Sequence, residues 1–106
     1  GIEEIVNLLL EKKYNVGASG FKLSGGEKQI ISLLRIALKP KKIIILDEPT
    51  ASLDKFHKNI VCDIINYIKK NNQVCILVIS HDNILIEKAD RIVNLDKGEI
   101  ISDMLN

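Results

Sequence analysis

Two consecutive carboxylates, Asp47 and Glu48, close the apolar run Ile43-Ile44-Ile45-Leu46. In an α/β protein, the carboxyl end of a buried parallel strand opens into the crevice where ligands bind. Asp47 is suited to hold Mg²⁺ there, directly or through water, because this hard ion takes oxygen ligands and keeps several waters. Glu48 is then placed to orient and deprotonate an attacking water. The plainer alternative is that such strand-end acids cap a loop or pair with lysines.

Twenty residues before that pair, Leu23-Ser24-Gly25-Gly26-Glu27 sets a hydroxyl and closely approachable backbone N–H groups at the start of an apolar helix. That geometry suits a phosphate. The Ser24 to Glu27 spacing is also that of an ordinary capping box. Alone, the turn leaves both readings open, and its distance from Asp47-Glu48 is what strengthens the first.

His81 follows a second apolar run, 74–79, after Ser80. If the two runs pair in parallel, it leaves the sheet on the same edge as Asp47 and Glu48. It could there contact a terminal phosphate and keep Glu48 or the attacking water in register; the alternative is a loop histidine that only makes surface hydrogen bonds. Asp54 caps the next helix or makes a contact across an interface. His57, on the polar face of that helix, is expected to be solvated and without a role. No glycine-rich loop ending in Gly-Lys-Ser/Thr occurs in the 106 residues.

The elements that must position these groups follow from period and punctuation. A helix is expected over 2–13, with Ile2, Ile5, Val6 and Leu9 on one face, then a turn over 15–20. The helix beginning at the double glycine should run to about Leu38, with Pro40 marking its end, and is apolar enough to lie deep in the domain. Residues 43–46 read as an interior strand covered on both faces. A helix capped by Asp54 follows to about Lys69, with Ile60, Val61, Ile64, Ile65 and Ile68 as its buried stripe. Strand 74–79 then completes a right-handed strand-helix-strand unit. A short helix over 83–88 and a hairpin of 91–95 and 99–102 around Asp96-Lys97-Gly98 end the chain.

Composition excludes several classes. Apolar residues make up 46% and charged residues 27%, with a net charge of +1, so the chain is neither disordered nor basic enough to imply nucleic acid. The longest apolar runs are far short of a membrane span, and no leader pattern opens the sequence. Cys62 and Cys75, the two cysteines, read as buried free thiols.

At these residues the chain resembles the carboxy-terminal half of the nucleotide-binding domain of ATP-binding cassette (ABC) transporters. Residues 23–27 look like the family signature motif, and 43–48 like the Walker B strand with its catalytic glutamate. Ser52-Leu53-Asp54 resembles the D-loop, and His81 the switch histidine. The implied fold class is α/β, a partial P-loop NTPase-like (ABC ATPase) domain with mostly parallel buried strands, flanking helices and a small C-terminal hairpin. It implies one truncated domain over 1–106. Residues 1–22 would be the end of its helical subdomain and 23–106 the signature and Walker B core, with the P-loop half absent.

In the family, two such domains sandwich two ATP molecules head to tail. The resemblance therefore implies ATP and Mg²⁺ as cofactors, with Asp47 on Mg²⁺, Glu48 as general base and His81 on the γ-phosphate. Ser24, Gly25, Gly26 and Gln29 would serve the nucleotide of the opposite site, with Asp54 communicating between sites. The implied partners are a second nucleotide-binding domain, the transporter's transmembrane domains and the missing amino-terminal half, with no nucleic acid. The expected location is the cytoplasmic side of a membrane, and the expected function is ATP hydrolysis that powers transport. The 106 residues alone are expected to be inactive, since the P-loop lysine and amide cradle supply most of the phosphate-binding electrostatics. Residues 16–22 look somewhat exporter-like. The alternatives are an ABC-type ATPase of DNA repair or chromosome maintenance, disfavoured by Pro49-Thr50-Ala51-Ser52, and a non-catalytic regulatory or structural fragment.

Overall fold

A computed structural model describes residues 25–106. The helix expected over 2–13, the turn over 15–20, Ser24 and the exporter-like segment 16–22 lie outside the described residues. The described chain runs α1 (Gly25–Leu38), β1 (Ile43–Asp47), α2 (Lys55–Asn71), β2 (Cys75–Ile79), α3 (Asn83–Ile86), β3 (Arg91–Asp96) and β4 (Glu99–Leu105). β1 and β2 pair in parallel, with Ile43 opposite Cys75 and Asp47 opposite Ile79. β3 and β4 form a separate antiparallel pair.

The helices and strands pack because each buries one apolar row. Ile30 and Leu33 of α1, Ile44 and Leu46 of β1, and Val61, Ile64 and Ile68 of α2 form one continuous core. Their spacing is three to four residues in the helices and two in the strand, the periods at which side chains return to one face. Asp54 starts α2 by accepting a hydrogen bond from the His57 N–H at 2.8 Å. This satisfies one of the donors that a helix start leaves unpaired. The hairpin turns at Lys97 and Gly98, whose φ of 49° and 79° give the consecutive left-handed residues of a type I′ turn. An Arg91–Asp103 ion pair, with Nε donating to Oδ1 at 2.8 Å, ties its two strands together.

Three expectations are modified. β1 is covered on one face only: Ile44 and Leu46 are buried, while Ile43 and Ile45 are 68% and 63% exposed. In β2 the register puts Cys75, Leu77 and Ile79 on the same open face. Cys75 is accordingly exposed, and only Cys62 is the buried thiol expected of both. Burial pushes the Cys62 thiol up from its ordinary value. α1 is less deeply set than its apolar circumference suggests, because among its residues only Ile30 and Leu33 are fully buried and Leu38 is exposed.

The two faces predict different sensitivities. Ile64, with no exposed surface, should cost about 2–5 kcal/mol when replaced by alanine. Ile45→Ala, on the open face of β1, should cost about 1 kcal/mol or less. Urea unfolding of both variants checks the ranking.

Candidate functional site

The parallel register decides where the reacting groups go. Asp47 ends β1 opposite Ile79, and the Glu48 N–H adds one further rung by donating to the Ile79 carbonyl at 2.8 Å. The chain thus leaves both strands on one edge, with Glu48 on one side and His81 on the other. His81 Nε2 lies 3.9 Å from Glu48 Oε1. The imidazole is almost fully solvated, and the glutamate is 39% exposed, so both can meet a ligand from solvent.

Glu48 has a φ of 48°, in the left-handed region that non-glycine residues rarely occupy. Such a conformation costs on the order of 1 kcal/mol and persists where surrounding contacts impose it. Here they are identifiable. Gln29 Nε2, from α1, donates to the Glu48 carbonyl at 3.5 Å and to the Pro49 carbonyl, and the Ala51 N–H donates to the Glu48 carbonyl at 3.1 Å. The turn separates the two acids. Asp47 keeps the odd-numbered alternation of Ile43 and Ile45 and is exposed on the open sheet face. Glu48 instead lines a cleft of about 410 Å³ with His81, Thr50, Lys58 and Asp82.

A polar network holds the two sides of that cleft together. Thr50 is buried and donates its hydroxyl to Asp82 Oδ2 at 3.0 Å, while Lys58 Nζ reaches the same oxygen at 2.7 Å. The other oxygen caps α3 by accepting from the Ile84 N–H at 3.3 Å. Lys58 above all, and then the Thr50 hydroxyl and Ile84 N–H, hold the Asp82 carboxyl below the usual range. The carboxylate next to His81 is thus anchored to the loop after Glu48 and to α2. Lys58 and Asp82 did not stand out in the sequence, and Thr50 did so only as part of Pro49-Thr50-Ala51-Ser52. The available signal was Asp82 itself, a helix-capping residue type immediately before Asn83.

A second cleft, about 520 Å³, lies between the start of α1 and the loop before α2. It is lined by Gly25, Gly26, Gln29 and Asp54, among the residues expected to serve a nucleotide, and by His57, which was expected to be solvated. The His57 side chain is only 21% exposed. A Cβ on Gly26 would meet Leu53 Cδ2 at 3.1 Å and His57 Cδ2 at 3.3 Å, so glycine is what permits this close approach. Gln29 lines this cleft while its amide holds the carbonyls behind Glu48.

Among the described residues no cluster of three or more His, Cys, Asp or Glu side chains is gathered to hold a metal ion. The exposed carboxylate of Asp47 nevertheless fits a Mg²⁺ that takes one or two carboxylates and completes its shell with water and phosphate. Among the described residues no helix is long and apolar enough to cross a membrane.

Residues 2–51 match the family model described as ABC transporter. The parallel strands, flanking helices and terminal antiparallel hairpin make the described chain α/β, the class of fold that this match implies. The chain is similar to the "Putative hemin import ATP-binding protein HrtA" of Staphylococcus aureus strains Newman, USA300 and N315. In each comparison 40% of 99 residues are identical, covering 93% of this chain and 44% of the relative. The chain therefore spans under half the length of the curated relatives it matches.

Asp82 supplies a pH test of the cleft's scaffold. Because its folded carboxyl is held below the usual value, its contribution to stability is complete above the unfolded value of about pH 3.9. It is lost as pH falls through the lowered folded value. Asp82→Asn should therefore lower stability at neutral pH and flatten the acid limb of the stability curve, the two proteins converging as pH falls below the lowered folded value. Urea unfolding at a series of pH values measures this.

Proposed function

We propose that this chain is the carboxy-terminal part of the ATP-hydrolysing domain of an ABC transporter. The observation that carries the reading is the meeting of Glu48 and His81 at one end of a parallel strand pair, 3.9 Å apart. The family match over 2–51 and the likeness to relatives named as ATP-binding proteins support it. In this reading Glu48 accepts the proton of an attacking water, and His81 contacts the terminal phosphate and steadies Glu48. Asp47 would hold Mg²⁺, which supplies charge neutralisation on the phosphates when bound.

Ser24, Gly25, Gly26 and Gln29 then face the nucleotide of a second such domain, and Asp54 lies between the two sites. The phosphate-binding loop belongs to the remainder of the domain, so the 106 residues alone bind ATP weakly and do not turn it over. The same reading gives the whole protein two kinds of partner, a second nucleotide-binding domain and membrane-embedded transport domains, and places it on the cytoplasmic side of the membrane. We read residues 16–22 as an exporter-like sequence that meets the membrane domains. The relatives are named for hemin import, so the direction of transport by reconstituted vesicles tests that detail.

The reading is tested in the whole protein containing this chain by Glu48→Gln. Loss of the base should lower steady-state ATP turnover by about 10²- to 10⁴-fold while ATP binding is retained. Unchanged turnover overturns the assignment of Glu48.

A further inference from the structure

Beside the glycine turn, one side chain joins elements that the proposed function treats separately. His57 Nδ1 lies 2.7 Å from Asp54 Oδ1, and the His57 backbone N–H donates to that same oxygen at 2.8 Å. Asp54 and His57 occupy the N-cap and third helical positions of α2, where side chain and cap face one another. The imidazole does not extend into solvent from there. Its Cδ2 and Cγ lie 3.3 and 3.4 Å from where a Cβ of Gly26 would sit, and Phe56 meets the ring edge-on at a centroid distance of 5.4 Å. One oxygen thus fixes both the helix start and the ring, and the ring fixes the distance to α1.

We propose that His57 is a positioning residue that clamps the Asp54 loop onto the Gly25-Gly26 turn, so that the two sides of the larger cleft keep one spacing. The inference rests on the proposed function only for its consequence in catalysis; the clamp itself is a matter of contacts. Two features separate it from plain space-filling. The bond to Asp54 needs a donor at the position of Nδ1, and in the tautomer carrying the proton there the ring supplies it. The backbone N–H of His57 and then its side chain hold the Asp54 carboxyl below its usual value, the direction expected when both donate to it. Glu27 is the other acidic side chain lining this cleft, at the first turn of α1.

In the proposed arrangement both walls of this cleft meet the nucleotide held by the opposite domain, whose phosphates are gripped mainly by that domain's own loop. Loosening the clamp should therefore lower kcat more than it raises KM.

The test uses the whole protein and three variants. His57→Asn keeps a donor near the Nδ1 position, His57→Leu keeps bulk without a donor, and Asp54→Ser keeps a capping hydroxyl but shortens the reach to the ring. Hydrogen exchange followed by mass spectrometry reads the contacts without reference to ATP. In His57→Leu and Asp54→Ser, exchange in segments 25–29 and 51–54 should rise together by about tenfold, the scale of one charge-assisted hydrogen bond. In His57→Asn it should stay within about twofold of the native protein. Turnover should follow, with kcat about tenfold lower in His57→Leu at nearly unchanged KM and restored in His57→Asn. The clamp is overturned if exchange rises in one segment alone or in neither, or if His57→Asn loses as much as His57→Leu. If the exchange pattern appears while Glu48→Gln leaves turnover intact, the clamp stands and the ATPase reading fails.

Discussion

The in-register parallel pairing of β1 with β2 is the constraint from which the arrangement of every candidate reacting group follows. Ile44 and Leu46 are buried, and Ile76 and Val78 pack against the same core, so all four must lie on one face. A slip of one residue would turn each row to the opposite side. Burial of those four residues therefore excludes a one-residue slip; the observed register sets Asp47 opposite Ile79, and the Glu48 to Ile79 bond extends it into the loop. The proximity of Glu48 and His81 is thus a result of core packing. No direct bond between them is required to maintain it.

The same strands carry a second apolar row that the described chain leaves open. Ile43, Ile45, Leu77 and Ile79 are each about half exposed or more, with Cys75 alongside them. Parallel sheets occur almost only with both faces covered, and strands of that kind are apolar on both sides. The composition of β1 is therefore that of a doubly covered strand, while α1 and α2 cover one side. Asp47 belongs to the open row, whereas Glu48 turns away from it at a φ of 48°. Adjacent acids in the sequence thus address different spaces, with Glu48 facing the His81 cleft and Asp47 facing whatever completes the sheet.

Elements were legible where periodicity and punctuation agreed. The four-residue apolar run before Asp47, the 3.6-residue stripe from Ile60 to Ile68 and the Lys97-Gly98 turn each carry a local signal, and each forms the expected element. The meeting of Glu48 and His81 was legible as well, because it needs only two strands and a parallel pairing. Less legible was anything decided between elements. Placing His57 on a polar helix face suggested solvent, but proximity to Gly26 depends on how α1 crosses the start of α2. Thr50, Lys58 and Asp82 form a network across three separate segments, and no spacing in the chain foretells it. Cys75 is apolar in type and strand-borne, yet its exposure depends on which sheet face the helices cover.

The two clefts are joined by a short stretch of backbone whose freedom is small. Between Glu48 and Asp54, the Ala51 N–H returns to the Glu48 carbonyl and the Leu53 N–H to the Thr50 carbonyl at 3.2 Å, while Ser52 sits at a φ of 62°. Thr50 is buried and anchored on Asp82, and Gln29 holds the carbonyls of Glu48 and Pro49 from the α1 side. A loop with this many internal and external bonds cannot absorb a displacement locally without breaking one of them. Movement of Asp54 at one cleft would therefore bear on the strained turn of Glu48 at the other. In the proposed head-to-tail arrangement, these clefts face different nucleotides. Residues 49–54 would then provide a physical connection between the two sites of that arrangement.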